Sequence, residues 1–336
     1  TAFMLFLYCK KVQNTMIPLN EKSLFNEVIQ SPDFQRLRGI SFLGVLDYCF
    51  EGKSYSTRYD HSLAVADHCS EYSLRKNLPE TEKIYIVLAG LLHDIGHCGF
   101  SHSLEPVFEE KFSITHHDVT KGIITDSPYL SRIWVKHNIA PSRIINTIEG
   151  LLNSRDKVIA KMPINFDTLD GIARTEKRFS NSDHANLISA QVFNFLCEKD
   201  DWSNQLQQFD SFWEQKGRIY NTFIYNEKRQ AVELFFQHLF RNESALCKED
   251  FLLTEPELFA KFAWLRAFID GISNRVDELA RSKSEDNFNY RIKTNIRKFF
   301  INAAGKFSPY KNDRYLTSTE EKEYSFKDNY GFAIFR

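Results

Sequence analysis

The stretch Ile84-Tyr85-Ile86-Val87-Leu88-Ala89-Gly90-Leu91-Leu92-His93-Asp94-Ile95-Gly96-His97-Cys98-Gly99-Phe100-Ser101-His102 decides how the chain is read. Residues 84–92 carry no charge. The run is too short to cross a bilayer, so it predicts a helix buried in a protein core. The helix ends on an adjacent His-Asp pair, Gly96 and Gly99 open a loop, and residues 103–111 resume a helix. A carboxylate buried beside an imidazole loses its water, which is costly without a counter-charge. Imidazole and carboxylate are also the ligands that suit borderline and hard divalent cations. The stretch therefore predicts a metal site at a helix end, with two more histidines within eight residues of the pair.

Helical periodicity extends outward on both sides. Upstream it runs through Leu24, Phe25, Val28 and Ile29, breaks at Ser31-Pro32-Asp33, and restarts through Phe34, Leu37, Ile40 and Leu43. Residues 44–55 read as a loop, with a short hairpin around Glu51-Gly52. Arg58-Tyr59-Asp60-His61 opens a further helix with Asp60 as its cap, and Thr81 is the expected N-cap of the charge-free helix. Downstream, residues 113–124, 133–152 (punctuated by Pro141) and 163–174 predict helices. Long amphipathic patterns follow: Ile219, Phe223, Ile224, Ala231, Leu234, Phe235, Leu239, then Leu258, Phe262, Leu265, Phe268, Ile269, Ile272, Val276, Leu279. Residues 288–302 predict a last helix before a polar tail. The expected fold is all-α. An N-terminal segment (1–20) precedes a helical core (21–185), on which a C-terminal helical region (186–336) packs.

The totals bound the partners. Among 336 residues, 43% are hydrophobic and 26% charged, and the formal net charge is −1. Bulk electrostatics therefore favour neither nucleic acid nor an anionic membrane. The Lys228-Arg229 and 293–298 basic clusters read as solvated faces, with a polynucleotide as the weaker reading; the long apolar helices are compatible with a homo-oligomer. Six cysteines are scattered without a CxxC pair, which predicts reduced thiols and a cytoplasmic location. The opening apolar run, Thr1 to Cys9, is too short to span a bilayer and lacks the flanks of a signal peptide.

Seven of the ten histidines (His61, His68, His93, His97, His102, His116, His117) fall between positions 61 and 117. A catalytic metal needs three or four ligands and open positions. His93 and Asp94 supply two, His61 at a helix start is a good third, and Asp167 or Asp170 could add the charge. His68 shares a helical face with His61 and reads as a core or supporting histidine. His116 reads as a cap or a solvent-facing residue, and His137, His184 and His238 as ordinary core or surface positions.

In that order along the chain, His61, the His93-Asp94 doublet and Asp167 resemble the HD superfamily of metal-dependent phosphohydrolases. The resemblance is closest to the deoxynucleoside triphosphate triphosphohydrolase branch. It is carried by Asp33-Phe34-Gln35-Arg36-Leu37-Arg38, Arg58-Tyr59-Asp60-His61-Ser62-Leu63, residues 93–102, His117-Asp118, and Asp167-Thr168-Leu169-Asp170-Gly171-Ile172-Ala173-Arg174. It implies an HD-domain helical core and one divalent cation (Mn, Fe, Ni, Co, Zn or Mg) on His61, His93, Asp94 and Asp167, with Asp170 as a buttress. It further implies Arg58 and His97 on substrate phosphate, His102 as proton donor oriented by Glu105, and His117, paired with Asp118, facing phosphate. Cationic histidines would then offset charge on the phosphate. Three positions depart from the branch: Phe42 stands for a glutamine, Gly171 for a tyrosine and Thr175 for an aspartate. Those groups help read a deoxyribose 3′-hydroxyl, so metal-assisted hydrolysis is expected to be intact while sugar recognition is altered. The reaction expected first is dNTP triphosphohydrolysis. The alternatives are a nucleoside monophosphatase or phosphodiesterase, and a nucleotide or nucleic-acid sensor with little turnover.

Overall fold

The computed structural model describes residues 19–49, 55–152, 156–180, 182–198, 206–279, 290–305 and 313–326. Its helices in chain order are α1 Leu19–Gln30, α2 Pro32–Gln35, α3 Arg58–Arg75, α4 Glu80–Leu92, α5 Ser101–Phe112, α6 His116–Asp126 and α7 Pro128–His137. They continue as α8 Pro141–Ile148, α9 Phe166–Ser180, α10 His184–Glu198, α11 Leu206–Ile219, α12 Glu227–Asn242, α13 Glu255–Lys261 and α14 Ala263–Leu279. The strands β1 Tyr290–Ile301 and β2 Tyr315–Phe326 form an antiparallel ribbon. No described helix is long and apolar enough to cross a membrane.

Local chemistry explains the helix starts. Ser31 caps α2 by accepting the Phe34 N–H, and Pro32 fills the first turn, where its missing donor costs nothing. Thr57 caps α3, and Asp60, three residues on, returns a bond to the Thr57 backbone. Asp60 thus works from inside the first turn, with Thr57 as the cap. The helix that carries the charge-free run starts two residues earlier than expected, after Pro79, so Thr81 lies within it.

Two apolar cores hold these elements. Helix α4 centres the first, with Ile86, Leu88, Ala89, Leu91 and Leu92 buried between α3 and α8. In the second, Phe100, Leu104 and Phe108 meet Phe236, Phe240, Phe251 and Phe268 from the C-terminal helices. Each buried phenylalanine removes on the order of 2–3 kcal/mol worth of apolar surface from water, and the two halves of the chain share this gain. A buried carboxylate reinforces the seam. Glu255, at the start of α13, accepts from the Ser41 N–H (2.8 Å), the Phe100 N–H (3.0 Å) and the Tyr48 hydroxyl, and burial pushes its pKa up to about 7. Cys49, Cys69, Cys98, Cys197 and Cys247 are free thiols.

Two expectations are corrected. Residues 44–49 form a 3₁₀ helix where a loop was expected, while the turn at Glu51-Gly52 lies outside the described residues. The helix expected at 288–302 is strand β1, which pairs along its whole length with β2, including Ile296 with Glu320 and Phe299 with Thr317. The side chains explain the change. Phe299 and Ile301 pack on the first core while Phe300 between them is 49% exposed, a period of two that only a strand provides.

Candidate active site

The metal-type residues arrive from three helix ends. At the C-terminus of α4, His93 continues the helical backbone and its N–H reaches the Ala89 carbonyl. The first turn of α3 supplies Arg58 and His61, and the first turn of α9 supplies Asp167. Helix ends suit such sites because a side chain there reaches a shared cavity while its backbone stays anchored in the core. Arg58, His61, His93, Asp94 and His97 are all buried.

Three of the four expected ligands, His61, His93 and Asp167, bring one ligand atom each within 4.8 Å of one another, and Asp94 borders them through the two imidazoles. His61 Nε2 lies 3.1 Å from Asp167 Oδ1, 3.3 Å from His93 Nε2 and 3.5 Å from Asp94 Oδ2, and His93 Nε2 lies 3.5 Å from the same Asp94 oxygen. Ligands about 2.0–2.1 Å from one cation at angles of roughly 90–109° sit about 3.0–3.4 Å apart, which these separations match to within about 0.1 Å. The tautomers point the same way. His93 Nδ1 faces the Gly90 carbonyl at 2.9 Å, and His61 Nδ1 faces the Asp170 carboxylate at 2.6 Å. Both Nδ1 atoms must donate, which leaves two Nε2 lone pairs facing each other unless a proton or a cation lies between. The donor set therefore fits a divalent cation. Asp170 does not compete as a ligand; it braces His61 and is itself held by Arg174. His68 packs against Phe166 and Phe193, away from this quartet.

Without a cation, His61 takes the proton. Burial alone would lower its pKa, but hydrogen bonds to Asp167 and Asp170 outweigh burial and push it up to about 9. A metal must displace that proton. Apparent affinity for Mn²⁺ is thus expected to rise about tenfold per pH unit between pH 6.5 and 8.5 and to level off above 9. Chelator competition at three pH values, with proton release measured in parallel, checks this; a flat profile would contradict it.

A second cluster adjoins the first. One polar atom from each of His97, His102, Glu105 and His116 lies within 4.8 Å of the others. Glu105 accepts from both flanking rings, His102 Nδ1 at 3.1 Å and His116 Nδ1 at 2.5 Å. Burial opposes its ionisation, but these two histidines hold its carboxyl well below the usual range. His97 stacks on His116 with ring centres 4.1 Å apart, and among the described residues both of its buried nitrogens lack a hydrogen-bond partner, with Asp94 Oδ1 3.5 Å from Nε2. Burial and the neighbouring Arg58 push the His97 pKa well down. His102 is 63% exposed to the cavity, yet its crowded surroundings also lower it. Both shifts disfavour the cationic forms of His97 and His102.

The expected partnership of His117 with Asp118 is not what the chain forms. The Asp118 carboxylate accepts from Thr115 Oγ1 at 2.6 Å in the cap of α6, and both His117 and Asp118 are exposed. His116, one residue earlier, faces the cluster instead. Thr115 sets this register by capping α6, and Gly96 permits it, because a Cβ there would lie 2.3 Å from the His116 carbonyl oxygen.

Arg58 also differs from its expected role. Its Nη1 bonds Asp94 Oδ2 at 2.7 Å, its Nε bonds Ser101 Oγ, and its Nη2 bonds the Phe42 carbonyl. Three of five N–H groups are engaged, so its first task is to hold Asp94. Burial opposes ionisation of Asp94, yet His93, His97 and Arg58 together hold its pKa well below the usual range.

Beside Asp167, Arg58 and His102 opens a cavity of about 550 Å³, a size that suits a nucleotide-scale ligand. The three altered positions line it. The Phe42 ring lies tilted against His61 with ring centres 4.7 Å apart, a Cβ on Gly171 would approach the Phe42 ring to 3.3 Å, and Thr175 bonds back to the Gly171 carbonyl. The cavity also contains a residue that sequence reasoning missed, Lys216 of α11. It is 7% exposed, and its ammonium has no hydrogen bond or ion pair among the described residues. Aromatic faces of Trp213 and Phe299 lie 5.2 and 5.6 Å from it, and burial pushes its pKa down to about 8. The available signal was its place in the buried stripe Phe209, Phe212, Trp213, Ile219, where a lysine is out of keeping. Asn295 and Arg297 from β1 complete that wall.

Residues 58–174 match the HD domain family. The MG461 protein of Mycoplasma genitalium is 26% identical over 67% of this chain and 57% of its own length. The deoxynucleoside triphosphate triphosphohydrolase SAMHD1 of Homo sapiens is 38% identical over 25% of this chain and 14% of its own length. The chain thus spans about half or less of these curated relatives. A crystal structure of a phosphohydrolase from Bacteroides thetaiotaomicron superposes with a TM-score of 0.62, covering 90% of this chain and 95% of that one at 16% identity. That likeness places the helical fold.

Proposed function

Since residues 58–174 of this chain carry an HD domain, we propose that it is a metal-dependent phosphohydrolase acting on a nucleotide, with dNTP triphosphohydrolysis as the leading reaction. The observation that carries this reading is the grouping of His61, His93 and Asp167, with Asp94 beside the two imidazoles, next to a histidine cluster and a cavity. A divalent cation held by the four residues would supply Lewis-acid polarisation of a phosphoryl oxygen.

The chain's own groups do the rest. Arg58 fixes Asp94, and Asp170 and the Gly90 carbonyl fix the two imidazoles, so the ligands are oriented before anything binds. An incoming phosphate places negative charge beside His97 and His102 and raises their pKa values toward protonation. His102, oriented by Glu105, then donates its proton to the leaving oxygen. His97 and His116 stabilise the phosphate, and His116 takes the part that sequence reasoning assigned to His117. Lys216 and Arg297, further along the cavity, receive additional phosphates of a triphosphate chain. The 38% identity of a quarter of this chain to part of a dNTP triphosphohydrolase supports the nucleotide. The Phe42–Gly171 packing supports a second reading, a nucleoside monophosphatase or phosphodiesterase. It puts a ring where the related branch has an amide, so a deoxyribose hydroxyl loses its partner there.

Product identification on a nucleotide panel separates these. Inorganic triphosphate from a dNTP is expected; orthophosphate from monophosphates alone would replace the first reading with the second. No turnover of any phosphoester by metal-loaded protein would overturn both.

A further inference from the structure

One wall of the cavity is unused by the mechanism above. Helix α12 presents Gln230, Glu233 and Gln237 to it. At spacings of three and four they share a face and span about 10 Å of helix. Two of the three are partly satisfied. Glu233 Oε1 accepts from Ser103 Oγ at 2.9 Å, and its Oε2 accepts from Gln230 Nε2 at 3.2 Å; that same amide nitrogen donates to the Ile224 carbonyl at 3.1 Å. Gln237 is different. It is 7% exposed, and its amide has no hydrogen-bond partner among the described residues. The residue lines the cavity and its amide has no protein partner among the described residues, so the cavity is where a partner can come from.

The position of this wall says what the partner is. Ser103, which holds Glu233, follows His102 directly in the chain. In the hydrolysis proposed above, the leaving oxygen takes the His102 proton, so the leaving group extends from His102. The wall contributes a carboxylate there, which disfavours phosphate, while the cationic lining groups Arg58, Lys216 and Arg297 come from α3, α11 and β1. A carboxamide offers one donor and one acceptor side by side, the pattern that matches the edge of a nucleobase. Tyr225 adds a flat aromatic face to the same cavity.

We propose that Gln237, with Glu233 and Gln230, recognises the base of a nucleoside leaving group by hydrogen bonds, so that substrate choice rests on the base and not on the sugar positions altered at Phe42, Gly171 and Thr175. This rests on the phosphohydrolase reading for its geometry, but it is tested without turnover. The four common deoxynucleosides, free and uncharged, are titrated by calorimetry into the full chain and into Gln237→Leu and Gln237→Glu. One nucleoside is expected to bind roughly tenfold tighter than the weakest, because one unmatched buried hydrogen bond is worth about that factor. Gln237→Leu should erase this preference. Gln237→Glu, which keeps the side chain's shape and removes its donor, should change which base is favoured. Absence of saturable binding of any nucleoside up to about 10 mM, or the same preference in both variants, would overturn the proposal. Loss of the phosphohydrolase reading would appear separately, as absent turnover in the wild-type protein.

Discussion

Replacing Asp94 with Asn is expected to lower hydrolysis by at least about a thousandfold, since the charge that completes the cation site is lost. The fold should also suffer. Asp94 neutralises the buried Arg58 guanidinium at 2.7 Å, and breaking a buried pair by removing one partner costs about 3–5 kcal/mol. Ser101 and the Phe42 carbonyl remain as Arg58 acceptors, which brings the cost toward the low end of that range. Turnover and thermal midpoint measured together check both statements. Where Asp94→Asn is too unstable to assay, Asp167→Asn gives the same test with less structural damage, because the Asp167 side chain is 37% exposed and, among the described residues, bonds only His61. Activity within tenfold of wild type in both variants would remove the quartet from the chemistry.

Lys216→Met should move activity and stability in opposite directions. Among the described residues the buried ammonium lies near two aromatic faces and forms no ion pair, and burial outweighs the attraction of Asp167, so the folded protein carries a desolvated charge. Its pKa of about 8 lies below the ordinary lysine value of 10.5. In the folded state the charged form is therefore disfavoured, and wild-type stability should increase as pH rises from about 8 to 10.5, where the unfolded chain still holds the proton. Methionine removes the penalty and keeps the apolar stem. We expect the variant to be more stable at pH 7 by about 1–3 kcal/mol, and to lose the stability gain at alkaline pH. Its KM for a nucleoside triphosphate should rise at least tenfold, because the cavity loses a phosphate-binding cation. A more stable variant with unchanged KM would show that Lys216 is structural only.

That His61, His93 and Asp167 meet, with Asp94 beside the two imidazoles, was legible because the determinants are local. His93-Asp94 sits at the end of a helix whose burial is written in nine uncharged residues, and His61 and Asp167 sit in first turns marked by capping and proline punctuation. The histidine cluster was legible only to within one residue. Whether His116 or His117 faces inward depends on where Thr115 starts α6 and on how closely Gly96 lets that helix approach, and neither is visible as a pattern of residue types. Strand β1 was misread because its alternating basic residues also fit a helix face. Its partner strand, rich in Ser, Thr, Glu and Lys, reads as a polar tail until the two are paired. Lys216 and Gln237 were hidden for a related reason. Each lies in an amphipathic helix far along the chain, and only the packing of that helix against α5, α9 or β1 turns the residue toward the cavity.

The most direct test of the account is titration of chelator-stripped protein with Mn²⁺ while hydrolysis of a dNTP is followed. Activity should be absent from the stripped protein, rise linearly and saturate at one ion per chain, and fail to return in Asp167→Asn. Full hydrolysis by the stripped protein, or saturation that Asp167→Asn leaves unchanged, would contradict the assignment of His61, His93, Asp94 and Asp167 as the centre of the chemistry.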